Sequence, residues 1–153
     1  MVRILVDADA CPVKDEIYRV ARRLETPVTV VANSWMRIPH DPGVDLVVVG
    51  NELDAADDWI AEHAGNRDIV VTADIPLAAR CLEKGARVVG PKGRPFTTDS
   101  IGEALASREL LSQLREMGIA SEGPPPFQKR DRSSFLHKLD EMIRAIRREA
   151  ESS

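Results

Sequence analysis

Ile4-Leu5-Val6-Asp7-Ala8-Asp9-Ala10-Cys11-Pro12-Val13-Lys14 is the stretch on which the reading of this chain turns. Val2 to Val6 is strand-forming apart from Arg3 and short enough to be one buried strand. Pro12 suits the first turn of a helix, where its missing N–H costs nothing. Two carboxylates, Asp7 and Asp9, therefore stand between a strand and a helix. In open α/β sheets that carboxyl edge is where ligands bind. The plain alternative is that one of them merely caps the helix.

Working outward, Val13, Ile17, Val20, Ala21 and Leu24 form one stripe of an amphipathic helix. Thr26-Pro27 stops it, and Val28 to Ala32 reads as a second strand. The order βαβ implies a parallel pair joined by a right-handed crossover. Val44 to Val49 is a third strand, followed by a short helix with Leu53, Ala56, Ile60 and Ala64 on its apolar face. Asp68 to Val71 is a fourth, after which Asp74 and Pro76 repeat the opening pattern of acid and then proline. Leu77, Ala78, Cys81 and Leu82 give the next helix its buried stripe, ended by Gly85. Arg87 to Val89 is a fifth strand. Ser100-Ile101-Gly102-Glu103 has capping-box spacing, and helical pattern runs on to Gly118, with a break expected near Ser107. Gly123-Pro124-Pro125-Pro126 reads as a linker, and a closing helix is expected at about 132–150. The expectation is one α/β domain spanning 1–153, with a parallel five-strand sheet in the order 3-2-1-4-5 and helices on both faces.

Composition narrows the function. Hydrophobic content of 43% with 30% charged residues is that of a globular protein. No apolar run approaches the ~20 residues that span a bilayer, so no membrane association is expected. Cys11 and Cys81 form no CxxC pair and suit reduced thiols in the cytoplasm. Cys81 falls on a core stripe. Cys11, with no histidine near it in sequence, makes a poor nucleophile. A net charge of −4 argues against a nucleic-acid footprint over the whole surface while leaving room for a local basic face.

The acids carry the chemistry. Asp7, Asp9, Asp54, Asp57 and Asp74 all follow strands of one parallel sheet, so their ends should converge. Spacing alone leaves Asp57 and Asp58 as alternatives, and the helix dipole accounts for one or two acids in that first turn. Like charges so close repel unless a cation sits among them. Oxygen donors with no histidine or cysteine point to Mg²⁺ or Mn²⁺, which can activate water for attack on a phosphodiester. Lys92, Arg94, Lys129, Arg130 and Arg132 are candidate holders of a phosphate backbone. Asn33 follows the second strand at the same edge. Trp35 and Arg37 behind it suit stacking on a base and contacting a phosphate, the alternative being that Trp35 and Met36 pack under the loop or at a dimer contact.

At two places the sequence resembles the YaiI/YqxD family of uncharacterised bacterial proteins: Val6-Asp7-Ala8-Asp9-Ala10-Cys11-Pro12 and Val71-Thr72-Ala73-Asp74-Ile75-Pro76-Leu77-Ala78. Asp54-x-x-Asp57, Gly85-Ala86 and Asp131-Arg132-x-x-Phe135 extend the likeness over nearly the whole chain. That family is grouped with PIN-like domains, whose metal-dependent nucleases use acids at matching places. The resemblance implies a three-layer PIN-like fold and a nuclease acting on RNA, with Asp7, Asp74 and an acid near Asp54 or Asp57 in its centre. Asp9, Cys11 and the Arg132 region belong to the family pattern and not to PIN nucleases generally, which leaves room for a different substrate. Two rivals stand beside it. One is a binding module that keeps the acids for an ion, a nucleic acid or a protein. The other is a haloacid-dehalogenase-like phosphatase, whose flap between the first Asp and its helix has no room here.

Overall fold

A computed structural model describes residues 1–9, 11–118 and 126–152. The expected linker lies almost wholly outside the described residues. The elements run β1 (Arg3–Asp7), α1 (Lys14–Arg23), β2 (Val28–Ala32), β3 (Val44–Val48), α2 (Ala55–His63), β4 (Asp68–Val71), α3 (Ile75–Glu83), β5 (Arg87–Val89), β6 (Pro95–Phe96), α4 (Thr98–Glu116) and α5 (Lys129–Ser152). They build one sheet in the order β3-β2-β1-β4-β5-β6. The first five strands are parallel, as their intervening helices require, and the chain reverses direction in the sheet beside β1.

The sheet has six strands, one more than the sequence pattern predicts. Gly90–Arg94 folds the chain back, and Pro95 and Phe96 pair antiparallel with Val89 and Val88. Two residues carry no periodicity, and a proline argues against a strand except at an edge, which is where this one lies.

Alternation along the strands divides the core. Ile4, Val6, Val28, Val30, Ile69 and Val71 face α1 and α5, where they meet Ile17, Val20, Phe135, Leu139 and Ile143. Leu5, Val31, Val70 and Val88 face the other way, against Ile60, Leu77, Ala78 and Cys81 of α2 and α3. α5 begins three residues before the expected start and buries Phe135, Leu139, Met142, Ile143 and Ile146. Among the described residues, no helix is long and apolar enough to cross a membrane.

α4 is continuous through Ser107 and has no fully buried residue. Its capping box is Thr97 with Ser100, three residues upstream of the expected pair. Ser100 can serve either as N-cap or as N3, and the hydroxyl of Thr97 claims its N–H.

Candidate functional site

The carboxyl edge of the parallel strands opens into a cavity of about 450 Å³. Asp7 from the end of β1, Asp9, Asn33 beyond β2, Asp54 and Asp57 around the start of α2, and Asp74 after β4 all line it. The five acids singled out from sequence are therefore brought together, with Asn33 beside them. Asn51 and Glu52 line the same cavity and were missed, since they sit in a polar turn with no spacing signal.

None of these acids is placed there by capping α1. That helix starts at Lys14 from an N-cap, Val13, which makes no side-chain hydrogen bond. Asp7 is 9% exposed and accepts a hydrogen bond at 2.9 Å from the Thr72 hydroxyl, itself buried. Thr72 stands between β4 and Asp74 in the repeated motif, which was the available signal for a residue that sequence reasoning passed over. The same hydroxyl accepts from the Asp74 N–H at 3.0 Å, so one side chain fixes both acids. Asp74 does cap α3: its Oδ1 accepts from the Leu77 N–H at 3.0 Å, and Pro76 fills the first turn. Its other oxygen takes no part in that cap.

At α2 the alternatives separate. Asp57 lines the cavity, whereas Asp58 turns away to Arg80 at 2.8 Å. Asp54 occupies the N-cap position with φ 61°, a left-handed conformation costly for a residue with a Cβ, and its side chain caps nothing. Strain of that kind gathers at functional sites.

The electrostatics follow from this crowding. Burial pushes the Asp7 carboxyl above the usual carboxylate range, with Asp74 and Asp9 adding to it, while the Thr72 hydroxyl and a backbone N–H at Asp9 hold it back. Asp57 is pushed up to about 6, first by burial and then by the charges of Asp74, Asp7 and Asp54. A hydrogen bond shared with the Asp74 carboxyl raises it further. Among the described residues, no three acidic, histidine or cysteine side chains form a ready-made metal cage. Burial also raises the Cys11 thiol, which removes the thiolate a nucleophile needs. Cys81 is in the core, as its spacing predicts.

The other candidates lie elsewhere. Lys92, Arg94 and Arg130 share a separate cavity. Arg37 lines a groove with Trp35, which is 76% exposed. Arg132 is engaged in the fold: it donates to the Pro12 carbonyl at 2.9 Å and to Glu16 at 3.0 Å, and lies over the Phe127 ring.

No solved structure is a significant match to this chain. A UPF0178 protein of Nitrobacter winogradskyi is 57% identical over 147 residues, covering 96% of this chain and 94% of the relative. One from Rhodopseudomonas palustris (strain BisB18) is 56% identical, covering 95% and 94%. Another, from Rhodospirillum centenum, is 57% identical over 97% of this chain and 99% of its own length. A family model described as "Uncharacterized BCR, YaiI/YqxD family" matches residues 5–145, from inside β1 to the last turns of α5, and so takes in every element that lines the acid cavity. The chain belongs to the YaiI/YqxD family.

Proposed function

We propose that this protein is a divalent-cation-dependent phosphodiesterase acting on RNA or another nucleic acid in the cytoplasm. The observation that carries the reading is the convergence of Asp7, Asp9, Asp54, Asp57 and Asp74 on one cavity, where burial and the neighbouring acids lift the Asp57 carboxyl to about 6. Acids crowded until one holds its proton near neutrality are costly for a fold to keep, and perturbed carboxyls in a cleft mark functional sites.

The donor set fits Mg²⁺ or Mn²⁺. It offers carboxylate oxygens without nitrogen or sulfur. Asp7 is held by the Thr72 hydroxyl and Asp74 by the Leu77 N–H, so both carboxyls are fixed where they face the cavity. Asp9, Asp54 and Asp57 complete the set of candidate ligands. A bound cation would lower the pKa of water and offset charge on the phosphate.

The chain's own residues do the rest. Thr72 orients the Asp7 carboxylate and the Asp74 backbone together. Asp57 takes the proton of the attacking water as the water oxygen bonds to phosphorus, and the departing nucleoside oxygen, its P–O bond broken, takes up a proton from solvent. Asn33 contacts the strand at the cavity wall, and Arg37 beside exposed Trp35 extends the contact along it. The ion pair of Arg132 leaves it a smaller share in that role.

One set of variants tests this. Asp7→Asn and Asp74→Asn keep shape, and Asn caps α3 about as well as Asp. Manganese-dependent hydrolysis of a fluorogenic oligonucleotide should fall by about 10²–10⁴-fold in each. The rise in melting temperature on adding Mn²⁺ should shrink as well. Equal metal-induced shifts in wild type and both variants would overturn the assignment. A second reading is a metal- or nucleic-acid-binding module that keeps the same converging carboxylates without turnover. Metal stabilisation lost in the variants, with no hydrolysis of RNA or DNA by wild type, would favour it.

A further inference from the structure

The rim of the acid cavity is apolar on one side. Among the described residues, and Met1 aside, the exposed large apolar side chains fall into two groups. Leu105, Leu110, Leu111 and Met117 belong to α4, while Trp35, Val48 and Leu53 end or follow the neighbouring strands β2 and β3. Single exposed side chains are ordinary on a protein surface, but three gathered at one sheet edge are less so. The second group borders the candidate site. Leu53, 91% exposed, lines the acid cavity, and Trp35 stands two residues after Asn33, which lines it too.

Trp35 is held outside by its neighbours. Along Trp35-Met36-Arg37-Ile38 exposure alternates, with Met36 and Ile38 turned in to pack against the core on the α1 side. Those two side chains anchor the segment, so the indole cannot enter the core without pulling them out. It borders a groove of about 540 Å³ with Val44 and Leu46 in its wall. Val44, Leu46 and Val48 alternate onto one face of β3, which carries this apolar row to the carboxyl edge. Ala32 pairs with Val48, and the Val49 N–H donates to the Ala32 carbonyl at 3.0 Å. The groove and the acid cavity therefore adjoin across strand ends that are fixed side by side.

This mixture selects the ligand. Acids that suit a cation and a phosphate stand beside an indole and an exposed leucine. A ligand that fits both is anionic at one point and flat and apolar at the next. An unpaired base beside a phosphodiester has that form, and its π face stacks on an aromatic ring whatever the base. In a duplex those faces are covered by neighbouring pairs. A protein partner fits less well. Stable protein interfaces bury about 800 Å² on each partner, more than three side chains offer.

We propose that Trp35 and Leu53 are specificity-determining residues that hold an unpaired base, Trp35 by stacking and Leu53 by apolar contact. The acid cavity then takes strands with a free base next to the phosphate it acts on. That the base belongs to a strand being cut rests on the phosphodiesterase reading, whereas the stacking rim is testable without it.

Binding in chelator, where no turnover intervenes, provides the test. The probes are a short dye-labelled oligoribonucleotide, its annealed duplex, and a strand of the same length with abasic sugars in place of the nucleosides. The two single strands carry equal charge, so repulsion by the acids cancels between them. By fluorescence anisotropy, wild type should bind the base-bearing strand about tenfold more tightly than the abasic one, and more tightly than the duplex. Trp35→Ala should erase most of that preference, Trp35→Phe should keep most of it, and Leu53→Ser should lose part. The chain has two tryptophans, so the emission of Trp59→Phe reports Trp35 alone. The base-bearing strand should quench it and the abasic strand should not. Equal binding of the two single strands, or Trp35→Ala with the wild-type preference, would overturn the proposal. A wild-type dimer that becomes monomeric in Trp35→Ala, with no base preference, would assign the rim to a second copy and overturn it as well. Base preference intact in a protein that hydrolyses neither RNA nor DNA would uphold the rim and count against the acid cavity's chemistry alone.

Discussion

Asp57 makes the stability of the metal-free protein depend on pH, and the sign follows from its raised carboxyl. Between about 3.8, where the unfolded chain loses this proton, and about 6, where the folded protein does, the native state holds one proton more. Its contribution to stability is full below the lower value and is lost as pH rises through the upper one. The raised Asp7 carboxyl acts in the same direction. Asp57→Asn in chelator should therefore melt above wild type at pH 8, by roughly 2–4 °C for each ~1 kcal/mol relieved. The gap should narrow toward pH 4, where Asp57 is neutral in the folded protein and about half ionised in the unfolded chain. Scanning calorimetry at pH 4, 6 and 8 measures it, and a gap that widens on acidification would mean that Asp57 is stabilised as the anion. The residue scale is also where sequence reading stopped short. That acids would collect at the strand ends follows from a parallel sheet, since every such end lies on one edge. Which acid of the Asp57-Asp58 pair turns inward depends on Arg80, whose reach across from α3 leaves no trace in helical spacing.

At the scale of elements, α1 ends in a way that invites a change. The Thr26 N–H donates to the Ala21 carbonyl and the Glu25 N–H to that of Arg22, which satisfies two of the helix's last carbonyls. This closure needs a left-handed residue, and the chain supplies Glu25 at φ 51°. Glu25→Gly should stabilise the protein by about 0.5–1 kcal/mol, read as a higher urea midpoint with an unchanged slope. A lower midpoint would show that the flexibility glycine adds to the unfolded chain outweighs the strain removed. Most of the architecture was legible because strand-length apolar runs alternate with amphipathic helices, and that pattern admits few topologies. The exceptions share a cause. β6 and the N-terminus of α4 are set by a turn and by competing hydroxyl caps, and such local hydrogen bonds leave no hydrophobic period.

Across the whole molecule, α5 lies on α1 and joins the core beneath it. Arg132 fastens that contact through Glu16, which is buried and whose Oε2 has no hydrogen-bond partner among the described residues. The sequence presents Arg132 as one more cation of a basic cluster, because its partner lies 116 residues away. Arg132→Ala should cost roughly 1–3 kcal/mol, since it leaves a buried carboxylate uncompensated. Adding Glu16→Gln should return part of that loss, and a double-mutant cycle by urea denaturation gives the coupling. Additive effects would show the pair to be a surface contact without consequence for the fold.

The central pairing of β1 with β4, Arg3 opposite Asp68, has a consequence in time. A chain emerging from the ribosome presents β1, α1 and β2 long before β4 exists to flank them. α1 then waits longer still for α5 to cover it. Contacts of such long range form slowly, and the exposed Val-rich strands are open to wrong partners meanwhile. Asp7 and Asp74 are brought together only by that late pairing, so the acid cavity is among the last features a nascent chain acquires. Any capacity to bind cations there would arise with the completed fold, and a half-made chain would lack it.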